Sequence, residues 1–162
     1  MQLNNVPGRR QVLGAGMALG GMLPFAASAA APDKAGAARE AANIKLVSAF
    51  CQAWNSRDVE KLIPFVAENL EYHVNEGGMV VNGAAQLRER MGPFMRDMQK
   101  IDWEIFRSAA LGDIVINDRV DHFIRPPNSG KPDNHFAVTG VFLVRDGKIL
   151  YWADYRSPDH KT

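Results

Sequence analysis

Two short blocks carry side chains able to move protons. The first, Asn117-Asp118-Arg119-Val120-Asp121-His122-Phe123, sits inside a run from Ile114 to Ile124 that reads as a strand. Side chains alternate along a strand, so Asn117, Arg119, Asp121 and Phe123 share one face, with Ile116, Val120 and Ile124 on the other. The first face sets a cation and a carboxylate beside an aromatic ring. The second block runs from Leu150 to Arg156 and repeats the theme, placing Leu150, Trp152, Asp154 and Arg156 on one face. Two carboxylates on strands of one sheet, with an arginine between them, suit acid–base chemistry. A guanidinium can bridge two carboxylates at once, and buried charges persist only when paired. Taken singly, an Arg and an Asp two apart also describe an exposed ion pair, and Asp154 also suits a surface turn.

The rest of the chemical inventory points elsewhere. His73, His122, His135 and His160 lack metal-ligand spacing, and His122 faces away from Asp121. No Ser or Cys stands in a nucleophile setting. Cys51, the single cysteine, lies on an apolar helix face and reads as buried packing, and it allows no intrachain disulfide. Met91, Met95 and Met98 read as a core stripe.

The elements that must position these groups follow from periodicity. Ile44, Val47, Cys51 and Trp54 recur at helical spacing until Asn55-Ser56 breaks the pattern. Asp58 can cap a second short helix with Leu62, Ile63, Phe65 and Val66. A strand over 70–74 and a Gly77-Gly78 loop follow. Asn82-Gly83 opens a third helix, with Leu87, Met91, Phe94, Met95 and Met98 on one stripe and Pro93 kinking or shortening it. Four strands come next: 101–110, 114–124, 136–145 and 148–155. A turn at Leu111-Gly112-Asp113 joins the first two, a polar loop over 126–132 the next, and an Asp146-Gly147 hairpin turn the last. Helices segregated from a sheet indicate an α+β fold. Such a sheet can curl into a cone whose interior holds a small molecule, with Phe123, Phe136, Val138 and Trp152 as its lining. The outer face, with Ile116, Val120 and Ile124, would then meet a second copy, so a homodimer is expected.

The start of the chain does not read as part of this fold. Arg9-Arg10 precede an apolar run over 12–31 that meets small residues at Ala27-Ser28-Ala29. That describes a removable export signal, of twin-arginine type, over residues 1–30. It implies handling by the twin-arginine export machinery and a periplasmic or secreted destination; a membrane anchor is the alternative. A linker over 31–40, a domain over 41–158 and a tail over 159–162 complete the division. Net charge is +1 without a long basic run, so nothing points to nucleic acid.

From Leu46 to Ser157 the chain resembles the limonene-1,2-epoxide hydrolase family, of the nuclear-transport-factor-2-like fold. The resemblance is carried by Asp58-Val59-Glu60-Lys61-Leu62-Ile63, the Tyr72 strand and Asp118-Arg119-Val120-Asp121. Gly140-Val141-Phe142, Asp146-Gly147-Lys148-Ile149 and Trp152-Ala153-Asp154-Tyr155 complete it. It implies a cone of curved antiparallel or mixed sheet packed with three to four helices. It also implies one-step hydration of a small hydrophobic epoxide to a diol, without metal, cofactor or covalent intermediate. Asp121 would be the acid, Asp154 the base, Arg119 the bridge, and Tyr72 a holder of the water. An acid role asks Asp121 to hold a proton near neutral pH, far above the ~3.9 of free Asp. Two positions depart from the family. Val74 stands where an Asn would bind water, with Asn75 next door and usable only through a one-residue bulge. Arg156 replaces an apolar pocket residue. A SnoaL-like isomerase or cyclase, or a non-catalytic small-molecule-binding protein of the same fold, remain alternatives.

Overall fold

A computed structural model describes residues 34–157; the expected signal (1–30) and tail (159–162) lie outside them. The first helix, α1, spans Lys34–Ala53. Residues 34–40, expected as linker, are its opening turns, because their alanines are the best helix formers and outweigh the single Gly36. Side chains tie these turns down: Glu40 accepts from the backbone N–H of Gly112 at 2.7 Å, and Asn43 donates to its carbonyl at 3.1 Å.

The expected first helix ends in a 3-10 turn, Trp54–Ser56, and the expected second helix is instead two more, Val59–Lys61 and Ile63–Phe65. Arg57 is left-handed (φ 59°), which stops helical propagation, and Pro64 removes an N–H and restricts Ile63 before it. Asp58 does act as a cap, its Oδ1 accepting from the Glu60 N–H at 3.0 Å. Val66 belongs to the next strand.

Strand β1 (Val66–Val74) turns through Asn75, Glu76 and Gly77, all at positive φ, into β2 (Met79–Asn82), an element the sequence did not suggest. Helix α2 (Gly83–Arg96) follows and runs three residues past Pro93, leaving Met98 beyond its end but buried. Then come β3 (Lys100–Leu111), β4 (Ile114–Ile124), β5 (Asn134–Arg145) and β6 (Lys148–Arg156). Asp146 and Gly147, at φ 49° and 69°, make the tight β5–β6 turn.

The six strands form one curved sheet in the order β2-β1-β6-β5-β4-β3. Every neighbouring pair is antiparallel except β1 and β6, which run parallel. Register shifts within the β1–β6, β3–β4 and β5–β6 pairs mark bulges, the feature that bends strands and increases twist. One face takes α1 against β3 and β4 and α2 against β1 and β2, and the core of Phe50, Trp54, Leu62, Leu87, Met95, Phe142 and Trp152 fills the space between. Alternation on β4 is as expected: Val115, Asn117, Arg119, Asp121 and Phe123 are all buried. On β6 the bulge interrupts it, so Ile149 rather than Leu150 is fully buried, and Arg156 is exposed at the strand's end.

Candidate active site

The centre of the site is one guanidinium. Arg119 is fully buried, and each of its nitrogens has a partner. Nε donates to Asp121 Oδ1 at 2.7 Å and Nη2 to Asp121 Oδ2 at 3.1 Å, a two-pronged grip on one carboxylate. Nη2 also donates to Asp154 Oδ1 at 2.7 Å, and Nη1 to Asn117 Oδ1 at 2.9 Å. The flat face of the group lies 4.4 Å from the centroid of Trp103, the residue directly across from Asp121 on β3. Asn117 is anchored in turn by donating to Cys51 Sγ at 3.4 Å.

Arg119 and Asp154 stand on strands separated by β5, so the guanidinium must cross that strand. The crossing point is Gly140, paired with Asn117 on one side and Asp154 on the other. A Cβ there would collide with Arg119 Nη1, and would lie 2.7 Å from both Asn117 Oδ1 and the Phe142 ring. Glycine inside a strand is otherwise unfavourable; here it leaves room for the bridge.

Asp154 is held on three sides. Its Oδ1 accepts from Arg119 and from Trp152 Nε1, the latter at 2.7 Å, while Oδ2 accepts from Tyr72 OH at 3.1 Å. The parallel β1–β6 pairing sets Tyr72 directly beside Trp152, and their rings stack with centroids 3.5 Å apart. Phe142, across from Trp152 on β5, stacks on it at 5.8 Å.

The electrostatics follow from burial. With Arg119 at +1, two ionised carboxylates would leave a net negative charge in an apolar interior, at a cost of several kcal/mol. A proton on the pair removes it. Burial pushes the Asp121 carboxyl up from an ordinary 3.8 to about 6; Arg119 opposes the rise and Asp154 adds to it. Burial would draw Arg119 down, but Asp154 and Asp121 together hold it well above its ordinary value. Burial, then the charge of Asp154, raises the Tyr72 phenol well above its own, and burial pushes the Cys51 thiol up to about 12. Both stay neutral.

Asp121, Asp154 and Tyr72 open onto a cavity of about 320 Å³, at the small end of the range for small-molecule sites. Phe123, Phe136, Val138, Val74 and Asn75 are on its wall. Trp152 is not: it is stacked between Tyr72 and Phe142 and touches the site through its indole N–H. Asn75 reaches the wall from the turn after β1, in a left-handed conformation (φ 48°) that Asn tolerates, without any bulge at that point of the strand. Sequence reasoning missed Trp54, Trp103, Met91, Phe94 and Arg90 on the wall, and the roles of Asn117 and Gly140. For the last two the signals were present: Asn117 shares the Arg119 face, and Gly140 interrupts a strand. Among the described residues, no group of three His, Cys, Asp or Glu side chains is arranged to hold a metal ion.

A curved mixed sheet closing with helices around a buried acidic pair defines a nuclear-transport-factor-2-like, SnoaL-like domain. Solved structures agree on the fold. A SnoaL-like protein from Shewanella denitrificans OS-217 superposes with a TM-score of 0.64 at 12% identity, covering 71% of this chain and 90% of its own. A protein of ketosteroid isomerase-like fold from Catenulispora acidiphila DSM 44928 gives 0.61 at 18%, covering 69% and 85%. Within that class the family is specific. Residues 41–158 match the limonene-1,2-epoxide hydrolase catalytic domain, and the chain belongs to that family. It is 32% identical over 112 residues to epoxide hydrolase EphG of Mycobacterium tuberculosis (strain ATCC 25618 / H37Rv), covering 67% of this chain and 69% of that protein. The structure of an M. tuberculosis LEH-like epoxide hydrolase superposes with a TM-score of 0.59 at 30% identity, covering 73% of this chain and 80% of the other.

Proposed function

We propose that this protein hydrates a small, mainly apolar epoxide to a diol in one step, using its own carboxylates and no cofactor. The observation that carries the reading is the Asp121–Arg119–Asp154 bridge, buried at the inner end of an apolar cavity. Water attacks one oxirane carbon and the C–O bond on that carbon breaks. Asp154 takes a proton from the water, and Asp121 delivers its proton to the departing oxygen. The pair ends with the proton on the opposite carboxylate, and transfer back resets the site. Arg119 keeps its charge throughout and fixes the distance between acid and base. Asp154 Oδ1 already accepts two hydrogen bonds, so Oδ2 is the atom left to receive the water's proton. Tyr72 OH donates to that same oxygen and keeps lone pairs free to accept from the water.

The test is diol formation from a panel of epoxides in heavy-oxygen water. One labelled oxygen should enter each diol. Asp121→Asn and Asp154→Asn should each lower turnover by about 10² to 10⁴. Diol formation that survives both substitutions would sink the mechanism, and a product without label would point to rearrangement instead.

A further inference from the structure

The cavity is graded from its inner end to its mouth. Asp121, Asp154 and Tyr72 are almost fully buried, and Val138, Phe123, Met91, Trp54 and Trp103 make buried walls. At the exposed end of the same lining stand Met79, Asn75 and Arg90, with Asn134 half-buried. Arg90 is placed there by helix geometry: it is four residues before Phe94, on one face of α2, and both line the cavity. Its helix neighbour Arg88 is committed to Glu60, donating from Nε at 2.8 Å. Among the described residues, no carboxylate lies within ion-pair distance of Arg90.

A second cation, not itself on the lining, stands against one of its rings. The Arg156 guanidinium sits 4.3 Å from the centroid of Phe136, one of the lining rings. Glu76, the acid on that side, accepts from the Arg156 backbone N–H at 3.2 Å. A wholly hydrocarbon epoxide would gain nothing from an arginine and two amides at the exposed end of the lining. An acceptor group on its far end would.

We propose that the preferred substrates are epoxides bearing a carboxylate at the end remote from the oxirane, with the oxirane at Asp121 and Asp154, the carboxylate met by Arg90, and Arg156 adding positive charge from beside Phe136. This rests on the epoxide-hydrolysis reading above and specifies its substrate class. Arginine presents paired donors that match a carboxylate, and at a solvated mouth the attraction is modest and screened by salt.

The experiment compares one epoxide carrying a terminal carboxylate with its methyl ester, each measured as diol production. The carboxylate should be favoured roughly three- to tenfold in kcat/KM, mainly through KM. The ratio should fall toward one in about 1 M salt, where the screening length is ~3 Å. It should also fall in Arg90→Gln, and in part in Arg156→Gln. Both side chains are exposed, so the variants should fold, which a denaturation curve checks. Equal efficiency on acid and ester, or a preference untouched by both substitutions and by salt, overturns the inference while leaving epoxide hydrolysis standing. Turnover of neither compound nor any epoxide of the panel defeats the epoxide reading, and this inference with it.

Discussion

A guanidinium that cannot give up its proton is the fixed point that two carboxylates grip. Asp121 is lifted to about 6 mainly by burial, against the pull of Arg119. If Asp121 must be protonated to act, kcat/KM should fall as pH rises above about 6. Gly140→Ala tests the geometry, because the added methyl displaces Arg119 from its crossing of β5. Overpacking of this kind costs about 1–3 kcal/mol, and loss of alignment near 1 Å about a hundredfold in rate. Arg119 lowers the Asp121 value, so moving it away should also shift the alkaline limb of the pH profile upward, an effect general destabilisation would not give. A pH–rate profile of the two proteins, with urea unfolding as control, reads both. The polar centre was legible in the sequence because alternation on β4 puts Asn117, Arg119 and Asp121 on one face whatever the tertiary structure. The place of Trp152 was not: alternation says that a side chain faces inward, but not whether another ring lies between it and the cavity.

At the scale of elements, strong local signals survived and nonlocal ones did not show. The Asp146-Gly147 turn is written in two residues and recurs as a hairpin with both at positive φ. Gly147→Ala should therefore cost about 1 kcal/mol, read as a lower urea midpoint, while kcat/KM stays within about twofold, since Gly147 has open space around it and lies outside the site. The stretch after Trp54 reads as a capped helix because its apolar residues recur at helical spacing, yet left-handed Arg57 and Pro64 break it into 3-10 turns. Strand β2 is only four residues, too short to show a period, and exists because β1 offers it a partner. The neighbourhood of Tyr72 and Trp152 depends on the parallel β1–β6 pairing, which joins segments 80 positions apart and leaves no local trace.

For the whole molecule, the outer face of the sheet is uncovered among the described residues. Ile114, Ile116 and Tyr155 are each more than 40% exposed, and Ile116 lies beside Val141 on the adjacent strand. We expect a second copy to cover this face. Light scattering should give twice the chain mass, and Ile116→Lys should move the protein toward monomer; a monomeric parent protein would count against it.

The position of β6 has a consequence in time. It is the last of the six described strands to be synthesised, yet it lies in the middle of the sheet, with β1 on one side and β5 on the other. Until residues 148–156 leave the ribosome, β1 and β5 each expose an unpaired edge, the kind of surface that recruits other chains. Asp154 arrives with that strand, so an incompletely synthesised chain is both sticky and without the second carboxylate of the Arg119 bridge. The step that joins the two parts of the sheet is the same one that assembles the buried Asp121–Arg119–Asp154 bridge.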